Sequence, residues 1–130
     1  MSTKVLMVVS STFMGVLGVT AVFLPQEILS LLGEPPSVLI ELLIQLVGAL
    51  YFGFAIMNWM AKSTLIGGIY AKPLCMGNFT HFTIAALGLL KGINDPSLPI
   101  FIWGLTLVYV IFATWFGLVF FTHPKMKKTA

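Results

Sequence analysis

Residues 41–82, ELLIQLVGALYFGFAIMNWMAKSTLIGGIYAKPLCMGNFTHF, carry one apolar run into a Gly-Gly and Lys-Pro connector and out into a second apolar run. Traced back to Val38, the first run reaches Met60. At roughly 1.5 Å per residue that is enough to cross a hydrocarbon layer about 30 Å thick. The same stretch holds most of the polar groups that fall at membrane depth: Glu41, Gln45, Asn58, Asn78 and His81. Its reading decides whether the chain folds in water or in lipid.

Composition points to lipid. Of 130 residues, 58% are hydrophobic and 8% are charged, with a mean hydropathy of +1.03. An ordinary soluble domain carries roughly a quarter of its residues as charged. Four spans of about 20 residues use most of this length, so the expectation is a single integral membrane domain without a soluble catalytic or nucleotide-binding module. The seven basic residues are all lysines. Bidentate recognition of phosphates or bases therefore lacks its arginine donor, and nucleic acid is not an expected partner. The one cysteine, Cys75, excludes an intrachain disulfide and a cysteine metal cluster, and serves as a labelling handle for topology.

The periodicity predicts spans at 5–24, 38–60, 74–93 and 99–121. Cleavage of the first as a signal peptide is disfavoured by its long apolar run and the lack of an A-x-A pattern. Between spans one and two, PQEILSLLGEPPS (25–37) starts with a proline suited to a helix's first position and stops at Gly33 and Pro35-Pro36. It reads as a short interfacial amphipathic helix, or else an apolar tight loop. The expected fold is all-α: an up-down four-transmembrane-helix bundle with that helix between spans one and two.

Small or polar residues recur at helical spacing on each span and predict the packing faces. These are Ser11, Gly15 and Gly18; Glu41, Gln45, Gly48, Phe52 and Trp59; Asn78, His81, Ala85, Gly88 and Gly92; and Thr106, Tyr109, Ala113 and Gly117. Four spans put Lys4, Lys62, Lys72, Lys125, Lys127 and Lys128 on one side. Glu27, Glu34 and Asp95, without a lysine, fall in the loops opposite. The positive-inside rule then predicts cytoplasmic N- and C-termini.

Orientation gives the polar residues their depths. Glu41 falls roughly 12 Å and Lys91 about 10 Å outside the midplane. An outer ion pair between them, with Gln45 nearby, competes with snorkelling of Lys91 and hydration of Glu41. An inner cluster of Asn58, Trp59, Asn78 and His81 is the stronger expectation for a ligand. His81 is a candidate haem or metal ligand with His123, or a hydrogen-bond partner for a quinone or lipid headgroup. The plainest reading is interhelical hydrogen bonding among Asn58, Asn78, Thr80 and His81. No catalytic residues, resident cofactor or metal are expected: Glu41 is the one acid within a span, and serine, histidine and carboxylate never share a depth.

Pro25 with Leu31-Leu32-Gly33, Gln45-Leu46-Val47-Gly48-Ala49, Asn58-Trp59, Lys72-Pro73-Leu74, and Gly77-Asn78 with His81 form a pattern. It resembles the DoxX-like group of small four-helix bacterial membrane proteins. The resemblance covers most of the chain. It implies a four-helix bundle in the bacterial inner membrane and a place beside quinone or redox membrane proteins, and transfers no catalytic residue. Small multidrug transporters share the size, but their essential acid lies mid-span in the first helix, where this chain has no ionisable residue. The functional expectation is a non-enzymatic accessory subunit or a binder of a lipid- or quinone-like ligand. Its partners are membrane lipids and a homodimer or larger membrane complex. The alternatives are a dimeric transporter using Glu41 and a redox-associated subunit using His81.

Overall fold

A computed structural model describes residues 3–64 and 71–122. Gly67-Gly68, His123 and the lysines at 125, 127 and 128 lie outside the described residues. The elements are α1 (Thr3–Phe23), α2 (Pro25–Leu31), α3 (Val38–Met60), a single 3-10 turn (Ala61–Ser63), α4 (Lys72–Gly92) and α5 (Phe101–Phe121). The class is all-α, as expected. Four of the helices, α1, α3, α4 and α5, are long and apolar enough to cross a membrane, and their exposed faces carry residues such as Val16, Leu50, Ile84 and Leu107. The protein is a multi-pass membrane protein. Span two has the expected bounds. The last helix starts later than expected because Pro99 and Ile100 form its entry turn, accepting from the N–H groups of Ile102 and Trp103.

The chain divides into two compact units, one formed by residues 7–62 and one by residues 1–6 with 63–130. In the first unit α1 and α3 run antiparallel along a seam of small and polar residues. Lipid tails are as apolar as leucine, so burying leucine gives two helices little reason to associate. Close backbone approach and interhelical hydrogen bonds do that instead. Gly18 and Gly48 provide the approach. A Cβ on Gly18 would lie 2.8 Å from the Phe52 nitrogen and 2.9 Å from the Gly48 oxygen. One on Gly48 would lie 2.8 Å from the Ala21 Cβ. On either side of this crossing, Ser11 Oγ donates to the Ala55 carbonyl at 2.7 Å and Gln45 Nε2 to the Val22 carbonyl at 3.2 Å.

The short helix expected at the interface is present. Pro25 occupies its first turn. Gly33, at φ 76°, ends it, with Gly33 N–H donating to the Ser30 carbonyl and Glu34 N–H to that of Leu29. These two bonds satisfy carbonyls that the end of a helix leaves open, and the positive φ is the reason for glycine. Ser37 then caps α3, accepting from Ile40 N–H at 3.4 Å.

The second unit pairs α4 and α5 antiparallel through aromatic rings. Phe82 packs against Tyr109, Phe112 and Phe116, with ring centroids 5.4, 4.8 and 5.6 Å away. Phe79 lies against Phe120 and fills the space left by Gly117, whose added Cβ would meet the Phe79 ring at 3.0 Å. The expected small-residue stripe on α4 is corrected here. The buried residues are Cys75, Asn78, Phe82 and Ala86, and Gly88 has nothing within 4 Å of an added Cβ. On α4, phenylalanine rings rather than glycines fill the interface. Cys75 is 1% exposed, its Sγ directed at the Phe116 carbonyl at 3.8 Å. Labelling it reports opening of this helix pair rather than topology.

Between α4 and α5, Asp95 accepts from Ser97 N–H at 2.9 Å and Ser97 Oγ at 2.7 Å. Both bonds favour the ionised carboxylate and hold its pKa below the ordinary value, against a small opposing effect of desolvation.

Candidate functional site

Of the four residues expected to form the inner cluster, Asn58 is occupied in joining helices. Asn58 is fully buried, and its Nδ2 donates to Ser10 Oγ at 3.1 Å. Ser10 Oγ in turn donates to the Met7 carbonyl at 3.2 Å. That relay joins the ends of α1 and α3 within the first unit. Trp59, its sequence neighbour, is 49% exposed and carries Lys62 Nζ 3.3 Å above its ring. The two residues expected to cooperate thus point to different surroundings. A step of three from Ala55 keeps Asn58 on the α1 face, while Trp59 turns to the bilayer edge, where an indole suits the interface.

Asn78 and His81 belong to the second unit. Asn78 is fully buried, and its Nδ2 donates to the Leu74 carbonyl one turn back along α4 at 3.0 Å. The His81 ring is half-buried, edge-on to Phe82 at 5.0 Å and tilted on Tyr109 at 6.0 Å. Among the described residues no group of three or more His, Cys, Asp or Glu is placed to hold a metal ion. His123, the expected second haem ligand, lies outside them.

Glu41 and Lys91 fall in different units, and each has its own setting. Lys91 is exposed in the last turn of α4, where the carbonyl end of a helix favours a cation. Glu41 is half-buried near the start of α3, and its Oε2 accepts from Gln26 Nε2 of α2 at 3.4 Å. Gln45 points to Val22 rather than to Glu41.

Glu41 also lines a cleft of about 510 Å³ with Gln26, Leu29, Ser30, Gly33, Glu34 and Pro36. The helix stop at Gly33 and the Pro35-Pro36 return build it, by folding the chain back from α2 to α3. Its volume lies in the range of small-molecule sites, about 300–1,000 Å³. Leu29, 2% exposed, supplies an apolar floor. Two carboxylates, an amide and a hydroxyl supply polar groups, and exposed Leu31, Val38 and Leu39 flank it. Two further grooves are almost wholly apolar. One of about 430 Å³ lies along Thr12, Val16, Val19 and Thr20, where both threonine hydroxyls donate to their own helix. One of about 300 Å³ lies along Val110, Ile111, Thr114, Trp115 and Leu118. Neither offers the convergent polar groups that orient a ligand.

Sequence reading found Glu41 but missed Gln26, Ser30 and Glu34 as its companions. The available signal was the i, i+4 spacing of Gln26 and Ser30 on the polar edge of α2. Ser10 was missed as the partner of Asn58, because apolar neighbours hide a single serine one position from the Ser11 stripe. Compared with known protein families, curated proteins and solved structures, the chain matches none.

Proposed function

We propose that this is a non-enzymatic membrane protein of the DoxX-like kind, resident in the bacterial inner membrane with both termini in the cytoplasm. It binds an amphipathic, lipid-like molecule whose polar end enters the cleft between α2 and α3. The observation that carries this reading is the contrast in polar groups. Asn58, Ser10 and Ser11 are engaged in joining helices. Glu34 and Glu41 line a ligand-sized space beside exposed apolar residues. The orientation is supported by Lys4, Lys62 and Lys72 opposing Glu27, Glu34 and Asp95. It puts the cleft at the outer face of the bilayer, within reach of the lipids of that leaflet.

The test is extraction into native-lipid nanodiscs, followed by mass spectrometry of the small molecules retained. Wild type is expected to enrich one amphipath class over the bulk membrane. Ser30→Trp, which fills the cleft from an exposed position, is expected to lose that enrichment while staying folded. Identical lipid profiles for the two proteins would refute the assignment.

A further inference from the structure

The reading above leaves the chemical class of the ligand open, and the lining of the cleft narrows it. Glu34 and Glu41 both face this space, and among the described residues no lysine or histidine lines it. The one basic residue of the first unit, Lys62, lies just beyond the end of α3, roughly 30 Å along it from Glu41, engaged with Trp59. Among the described residues Glu41's hydrogen-bond partner is Gln26, bound at one carboxylate oxygen and at the long distance of 3.4 Å. Its second oxygen and the whole Glu34 carboxylate keep their acceptor capacity. Next to a bilayer, where water is thinned out, such charges attract a counter-charge more strongly than they would in bulk solvent.

Among the described residues no tryptophan, tyrosine or phenylalanine lines the cleft. A quaternary ammonium, which cannot donate hydrogen bonds, is recognised chiefly by aromatic faces. A primary ammonium instead needs acceptors, and acceptors are what the lining provides. Leu29 lines the cleft with an apolar side chain, and Leu31 and Val38, close in the chain to the lining residues Ser30 and Pro36, are exposed apolar surface. We infer that the cleft takes a long-chain primary amine: its ammonium donates to Glu41 and Glu34, and its apolar chain runs out over Leu31 and Val38. This rests on the cleft being the ligand site. A lipid whose ammonium is tied to a phosphate is a poorer ligand, since it brings an anion against two carboxylates.

A chain-matched series tests the inference in phosphatidylcholine nanodiscs containing the full protein. Binding of each probe to Ser30→Trp nanodiscs serves as the background for partition into lipid. Dodecylamine is expected to bind about tenfold or more tighter than dodecanol, and dodecyltrimethylammonium and dodecanoate no better than dodecanol. Ethylamine, with the same head and no chain, is expected not to bind measurably. Phosphatidylethanolamine added to the nanodisc is expected not to displace dodecylamine. E34Q/E41Q should reduce dodecylamine to the level of dodecanol and leave dodecanol unchanged, and E34K/E41Q, which leaves one cation and no carboxylate in the lining, should turn the preference to dodecanoate. Equal binding of dodecylamine and dodecanol, both above background, overturns the amine and leaves the cleft as an amphipath site. Preference for the trimethylammonium probe, or displacement by phosphatidylethanolamine, also overturns it. No probe binding above background overturns the amine and the cleft together.

Discussion

The two helix pairs meet the same requirement in opposite ways. In lipid there is no water to drive apolar faces together, so helices must gain from contact geometry and hydrogen bonds. The α1–α3 pair brings backbones together at Gly18 and Gly48 and ties the flanks with Ser11, Asn58 and Gln45. The α4–α5 pair fills its interface with Phe79, Phe82, Phe112 and Phe116 and relies on ring packing. Polar side chains therefore mean different things in the two halves. In the first they are fasteners. In the second they lie within an aromatic core, and a glycine there need not be a contact at all.

Substitutions at each kind of contact can break this comparison. Phe82→Ala removes the ring shared by Tyr109, Phe112 and Phe116 and should cost about 3 kcal/mol, the lower end for a buried phenylalanine, because transfer to lipid adds little. Reversible unfolding in mixed micelles measures it; a cost near zero would mean that the rings do not hold the pair. Gly18→Ala should cost about 2 kcal/mol, since its methyl group would meet backbone atoms of α3 that cannot move aside. Gly88→Ala and Gly104→Ala, with open space around them, should be neutral or stabilise by up to about 1 kcal/mol. Equal effects at Gly18 and Gly104 would erase the distinction between the pairs.

Smaller effects sharpen it. Asn58→Leu should cost about 1 kcal/mol by breaking the bond to Ser10, with Ser10→Ala adding little on top because the two act as one unit. The buried Thr83 Oγ1, by contrast, has no hydrogen-bond partner among the described residues. Thr83→Val should therefore be neutral or stabilise by up to about 1 kcal/mol. The least effect is at Asp95. Its lowered pKa makes the Ser97 contacts complete above the ordinary aspartate value of 3.8, and they are lost as the pH falls through the lowered one. Ser97→Ala should raise the Asp95 pKa toward 3.8 in a carboxyl NMR titration. An unchanged titration would show that the contacts do not persist in solution.

Most of the fold was legible because a membrane span announces itself by length and composition alone. Helix α3 was readable to the residue, and α2 by Pro25 and Gly33. Packing faces were legible where small or polar residues marked them, as Thr106, Tyr109 and Gly117 do on α5. The stripe Ser11, Gly15 and Gly18 was right, but the α4 stripe through Gly88 was not, since an apolar helix in lipid hides its aromatic contact face among equally apolar neighbours. The site was half legible. Glu41 stands out as an acid in a span, but the α2 residues that complete the cleft become its neighbours only through the Pro35-Pro36 return. Asn58 looked like a ligand group for the same reason it is a fastener, since a buried amide in lipid must have a partner either way.

The central claim is that Asn58 joins α1 to α3 while the proposed ligand enters the cleft between α2 and α3. The most direct measurement is photo-crosslinking with a dodecylamine that carries a diazirine next to its head group, mapped by peptide mass spectrometry. The account predicts adducts confined to residues 25–41 and abolished by Ser30→Trp. Adducts centred on residues 55–62 or 72–82 would contradict it.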